Sequence, residues 1–167
     1  MKGPLFYAKI LLFGEYGIIK DSKGLSIPYN FFRGALKIPQ SETEITKKSH
    51  SKLLSFADYL RTIDSKIVSF DWTSIEKDLS QKLFFDSSIP QGYGVGSSGA
   101  LVAAFYDRYA ADKITVLENL TTEKLQKLKA VFSTMESFFH GKSSGLDPLN
   151  SYLSLPLLIH SSEKKIP

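Results

Sequence analysis

The stretch Pro90-Gln91-Gly92-Tyr93-Gly94-Val95-Gly96-Ser97-Ser98-Gly99 constrains this chain more than any other, because it sets four glycines within eight residues. It runs directly into Ala100-Leu101-Val102-Ala103-Ala104-Phe105-Tyr106, which reads as a helix. A glycine-rich loop feeding a helix N-terminus is an anion site in waiting. Unpaired N–H groups and the positive end of the helix dipole converge there, and glycines let phosphate oxygens approach the backbone. Ser97 and Ser98 add hydroxyls for a phosphate or for magnesium, a hard cation that prefers oxygen ligands. The plainer alternative is a connector whose serines cap the helix. Four glycines are more than a connector needs.

The two commonest phosphate loops do not fit. Gly94-Val95-Gly96-Ser97-Ser98-Gly99 matches G-x-G-x-x-G, but a dinucleotide fold places that motif after its first strand, with an acid on the next one. Here the loop lies mid-chain after Pro90, and Glu118, at about the right distance, precedes no clear strand. Gly141-Lys142-Ser143 has the end of a Walker A loop, but Glu136 stands where its first glycine belongs.

The rest of the chain suits a single ordered domain. Its 167 residues are 43% hydrophobic and 23% charged, as in an ordinary globular protein that can bury a sizeable core. The net charge of +4 and a pI near 9.1 favour anions mildly, but the lysines are scattered from Lys2 to Lys165. A nucleic-acid reader concentrates its basic residues on one face, so no nucleic acid is expected, and a phosphorylated small molecule suits the charge as well. The absence of cysteine removes disulfides, thiolate metal sites and a cysteine nucleophile, and is compatible with the cytoplasm, the expected compartment. The first apolar run breaks at Gly14-Glu15, too short for a signal peptide, and none approaches the ~18 apolar residues of a membrane span.

Patterning predicts a mixture of strands and helices. Leu5 to Phe13 reads as a strand, and Leu25 to Ile38 as an extended stretch interrupted at Pro28 and Gly34. Thr43 to Lys47 suggests an edge strand, and Lys66 to Phe70 a short one. Leu53, Phe56, Ala57 and Leu60 have helical spacing, as do Ile75, Leu79 and Leu83 within Trp72 to Phe84. Thr122 is the expected N-cap of a helix ending near Gly141, with Leu125, Leu128, Phe132, Met135 and Phe139 toward the core and Glu136 one position off that stripe. Ser151 to His160 resembles a strand.

Three segments in order carry a family resemblance. Pro90 to Ala100 resembles the P-x-x-x-G-L-G-S-S-A motif of the GHMP kinases, with Val95 for the usual Leu and Gly99 for the usual Ala as mild departures. Lys9-Ile10-Leu11-Leu12-Phe13-Gly14-Glu15-Tyr16-Gly17-Ile18-Ile19 is similar to their K-x-x-L-x-G-E-H-x-V-V segment, with Tyr16 in place of a histidine near the substrate. Glu136-Ser137-Phe138-Phe139-His140-Gly141-Lys142-Ser143-Ser144-Gly145-Leu146-Asp147-Pro148 resembles the mevalonate-kinase stretch from a helical glutamate to S-G-V/I-D. Taken singly, each has a plain reading: Lys9 as a strand-end lysine, Glu136 and His140 as a surface pair at i, i+4, Asp147 as a turn residue before Pro148.

The resemblance implies an α+β domain of the ribosomal protein S5 domain 2-like fold, as in the N-terminal domain of a GHMP kinase. It implies a phosphotransferase that uses ATP and Mg²⁺ on a substrate hydroxyl, with mevalonate as the leading acceptor. Backbone groups of Gly92, Gly94, Val95, Gly96, Ser97 and Ser98 would hold the ATP phosphates. Ser98 and Glu136 would ligate Mg²⁺, Asp147 would take the hydroxyl proton, and Lys9 would assist it and stabilise the transferring group. Glu15, Tyr16 and His140 would border the substrate or support these groups. The family's third motif and C-terminal domain have no counterpart after Asp147. Residues 1–167 are thus expected to form the ATP-binding domain, with a connection toward the absent domain beginning near 150. A nucleotide-binding module without turnover is the alternative, and an S5-like RNA-binding domain a more distant one. A homodimer is left open.

Overall fold

A computed structural model describes residues 4–13, 23–115 and 119–160. The elements run β1 (Phe6–Phe13), β2 (Lys23–Lys37), α1 (Glu44–Leu60), α2 (Trp72–Ser80), β3 (Phe84–Ser87), α3 (Ser97–Tyr109), α4 (Thr122–His140), α5 (Leu146–Leu153) and β4 (Leu157–His160). The chain is therefore α+β, as expected. Glu15, Tyr16 and Glu118, with the rest of the N-terminal motif after Phe13, lie outside the described residues.

One long strand organises the sheet. β2 pairs antiparallel with β1 along one edge, and with β3 and β4 at opposite ends of the other. Between those two partners no described strand pairs with that edge of β2, so Pro28, which cannot donate to a ladder, breaks none of the described pairings. The register against β1 shifts instead: Tyr7 faces Arg33 while Ala8 faces Tyr29, leaving 30–32 unopposed. Gly34 also continues the strand, and a Cβ there would strike the Phe85 ring.

Helix α3 is the centre of the core. Every residue from Gly99 to Tyr106 is buried, as is Tyr109, and the helix touches α4, α5, β1 and β2. A helix hydrophobic all round belongs in an interior. Aromatic rings fill the space around it: Phe105 meets Phe56 at 5.3 Å and Tyr106 meets Phe132 at 5.1 Å, both edge to face. In α4, Leu128, Phe132 and Met135 are fully buried on the expected stripe, and the cap is Thr121, one residue earlier than expected.

Several local expectations change. Thr43 to Lys47 opens a helix, not an edge strand, because Thr43 and Thr46 form a reciprocal capping box that outweighs their β-branched character. Ile45 then points to solvent at 80% exposure. Lys66 to Phe70 is a turn running into irregular chain: the Asp64 side chain accepts from the Lys66 N–H, and within the stretch Phe70 alone bridges, to Ala110. The helix from Trp72 stops at Ser80, and Phe84 begins a strand. Residues 151–153 finish α5, so the final strand starts at Leu157.

Candidate functional site

The loop before α3 takes a shape that only glycine adopts easily. Gly92, Gly94 and Gly96 all have φ between +68° and +82°. Gly96 caps the helix in the left-handed region, its carbonyl accepting from Ala100 N–H, and no side chain caps the end. The first N–H groups of α3 are therefore available to a ligand. A cavity of about 420 Å³ opens here, lined by Gly92, Gly94, Val95, Gly96, Ser97 and Ser98 together with Pro90, Gln91, Lys52, Phe139, His140 and Asp147.

Strand β1 holds the loop in place. The Lys9 N–H, on the edge of β1 away from β2, donates to the Val95 carbonyl at 3.0 Å. The same residue sends its side chain to Asp147, Nζ to Oδ1 3.2 Å, with the lysine 14% and the aspartate 35% exposed. Lys9 therefore pairs; it does not snorkel. Asp147 stands in the first turn of α5, where Pro148 is tolerated because that turn needs no N–H from it. A Cβ on Gly96 would lie 3.0 Å from Lys9 Cγ and 3.8 Å from Asp147 Oδ2, so the loop, the cation and the carboxylate are in contact.

A second group forms at Ser98. Its hydroxyl donates to Glu136 Oε1 at 3.0 Å and lies 2.9 Å from His140 Nε2. Ser143 Oγ donates to the other oxygen of Glu136 and itself accepts from Gly145 N–H at 3.0 Å. Glu136 is only 3% exposed, so it is no surface partner of His140; the serine lies between them. Burial pushes the Glu136 carboxyl above its ordinary range, and the Asp147 charge adds to the rise, against the opposing pull of Ser143, Ser98 and His140.

A buried carboxylate held above its ordinary range is one that a cation would restore to the charged form. Magnesium usually keeps several waters and takes one or two carboxylates plus substrate phosphates. Glu136 and Ser98, with Asp147 near enough to raise Glu136, suit such a shared site. Among the described residues no cluster of three or more His, Asp or Glu offers a self-sufficient cage.

The folded chain thus brings Lys9 to Asp147 and Ser98 to Glu136 and His140, along one loop. Glu15 and Tyr16 fall outside the described residues. Three participants were not singled out from sequence: Ser143, Lys52 and Phe139. Ser143 had a signal, since a serine two residues before a glycine often turns back on the backbone; Lys52 had none. Gly99 also changes standing. A Cβ there would come within 2.7 Å of the Asp147 carbonyl carbon, so glycine is a packing requirement here and not a mild departure.

The family described as GHMP kinases N terminal domain matches residues 59–154. Among the solved structures that share the fold are two mevalonate kinases. L. major mevalonate kinase, in complex with R-mevalonate, superposes with a TM-score of 0.53 at 19% identity, covering 100% of this chain and 51% of that one. The Methanococcus jannaschii mevalonate kinase gives 0.51 at 16% identity, covering 98% of this chain and 54% of that one. The chain therefore spans about half the length of the kinases it matches. No curated protein matches the sequence. No helix among the described residues is long and apolar enough to cross a membrane.

Proposed function

The chain belongs to the GHMP kinases, by its N-terminal domain, and from that premise we propose that it supplies the ATP-binding and proton-abstracting half of a phosphotransferase acting on an alcohol. Mevalonate or a related metabolite is the proposed acceptor, in keeping with the fold shared with two mevalonate kinases. The observation that carries the reading is the Lys9–Asp147 pair at 3.2 Å, set against a positive-φ glycine loop at an uncapped helix start.

Each requirement of phosphoryl transfer then has a residue. The N–H groups at the start of α3 and along the loop hold the ATP phosphates. Asp147 accepts the acceptor's hydroxyl proton as its oxygen bonds to the γ-phosphorus and the bond to the ADP oxygen breaks. Lys9 orients Asp147 and stabilises the charge on the transferring group. Ser98 and Glu136 would hold Mg²⁺, which neutralises phosphate charge when bound. A second reading, nucleotide binding without turnover, needs only the positive-φ glycine loop and the uncapped helix start.

The test is Asp147→Ala in a coupled assay for ADP formation with mevalonate, alongside calorimetric titration with ATP and magnesium. Loss of transfer with ATP binding retained is the expected result. Undiminished turnover in the variant would overturn the assignment, and ATP binding without turnover by the unaltered chain would favour the second reading.

A further inference from the structure

Lys52 lies in the same cavity but belongs to neither group described above. It comes from α1, one turn before the buried Phe56, and its Nζ sits 4.9 Å from the centroid of the Phe139 ring. That ring packs on Phe56 at 5.2 Å, so the platform beneath the ammonium is fixed by the core. Lys9 and Asp147 come from β1 and α5, whereas Lys52, Phe139 and His140 form a wall from α1 and α4.

Among the described residues this cation has no carboxylate partner, and neither has Lys48, which lies one helical turn before it. Like charges at this spacing repel. Partial burial, followed by the Lys48 charge, holds the Lys52 ammonium below the usual lysine range. Such an arrangement is relieved by an anion, and the cavity that Lys52 faces is lined by the free N–H groups of a helix start. A face-on aromatic ring steadies the ammonium without using its hydrogen-bond donors.

We propose that Lys52 is a further binding residue of the site, donating to the phosphate chain of the nucleotide from the α1–α4 wall while Lys9 serves the reacting end. The inference rests on the nucleotide reading above and assigns Lys52 to the polyphosphate and not to the base. It makes the chain a two-cation clamp around the helix start, one cation from each side of the fold.

The experiment is calorimetric titration of the full chain with inorganic tripolyphosphate and, separately, with ATP and magnesium. Lys52→Met keeps the stem over Phe139 and removes the charge. It is expected to weaken both ligands by about tenfold, the size of one hydrogen bond to a charged group. Lys52→Arg should restore most of the affinity, and Lys47→Met, altering a neighbour paired to Glu44 at 3.5 Å, should change nothing. Unchanged binding of both ligands to Lys52→Met overturns the proposal. So does a loss for ATP alone, which would put Lys52 on the base or ribose. If the unaltered chain binds neither ligand, the nucleotide reading itself fails, a result distinct from either.

Discussion

Replacing Gly99 with alanine sets two calculable effects against each other. Gly99 is the third residue of α3 and its φ is not positive, so alanine meets no backbone strain there. Helix propensity alone favours the change by about 1 kcal/mol. The added Cβ, however, would lie 2.7 Å from the Asp147 carbonyl carbon, 2.8 Å from Pro148 N and 2.9 Å from Asp147 Cβ. Ordinary carbon contacts sit near ~3.5–4.0 Å, so α5 must back away by about 1 Å. Two of these atoms are backbone and cannot swing aside. Overpacking of this kind costs about 1–3 kcal/mol, which leaves a net loss near 1 kcal/mol and a fall in Tm of roughly 2–4 °C. The same movement carries Asp147 off Lys9, now 3.2 Å away, so transfer should fall further than stability does. Urea unfolding followed by circular dichroism gives the first number, and the ADP-forming assay the second. A variant about 1 kcal/mol more stable than the parent, with transfer intact, would refute the packing argument.

Glu136 gives a pH prediction. Its folded carboxyl titrates above the ordinary 4.5, so between those two values the folded chain holds more proton than the unfolded one. Stability of the metal-free chain should therefore fall as pH rises through that window. Glu136→Gln should flatten the fall, as read from thermal unfolding between acid and neutral pH; an unchanged slope would assign the dependence to another group. In the core, Tyr109 donates to Asp78 Oδ2 at 2.7 Å while Arg108 pairs with the same oxygen at 2.6 Å. Burial first, and then that hydrogen bond, push the phenol far up, so it remains a donor at any working pH. Tyr109→Phe should cost about 1.5–3 kcal/mol in urea unfolding, and a loss under 0.5 kcal/mol would mean that Arg108 alone satisfies the carboxylate.

How much of this was legible in sequence depended on the range of the interaction. The glycine loop, α3 and the stripe of α4 follow from local rules, and they stand where the pattern put them. The start of α1 reads as a strand because Thr43-Glu44-Ile45-Thr46 has strand-like side chains, and only the hydrogen bonds between the two threonines reveal the cap. β3 was hidden because four residues carry too little periodicity, and their pairing with Gly34 to Lys37 is a long-range fact. At the site, the contact of Lys9 with Asp147 was reached through family resemblance, since nothing local joins residues so far apart. Lys52 was invisible for the same reason: an exposed lysine on an amphipathic helix looks like any other until α4 places an aromatic ring beneath it.

The hydrogen bond from Lys9 N–H to the Val95 carbonyl has a consequence beyond the cavity it borders. Among the described strands β1 ends the sheet, and an open strand edge invites pairing with another chain. Its far end carries Leu12 and Phe13, each more than half exposed, which sharpens the hazard. The glycine loop covers part of that edge, and Lys9 places a charge beside it. Any ligand that fixes the loop also keeps the edge covered, so solubility and nucleotide occupancy should rise together. Light scattering during a titration with ATP would then follow binding as directly as heat does.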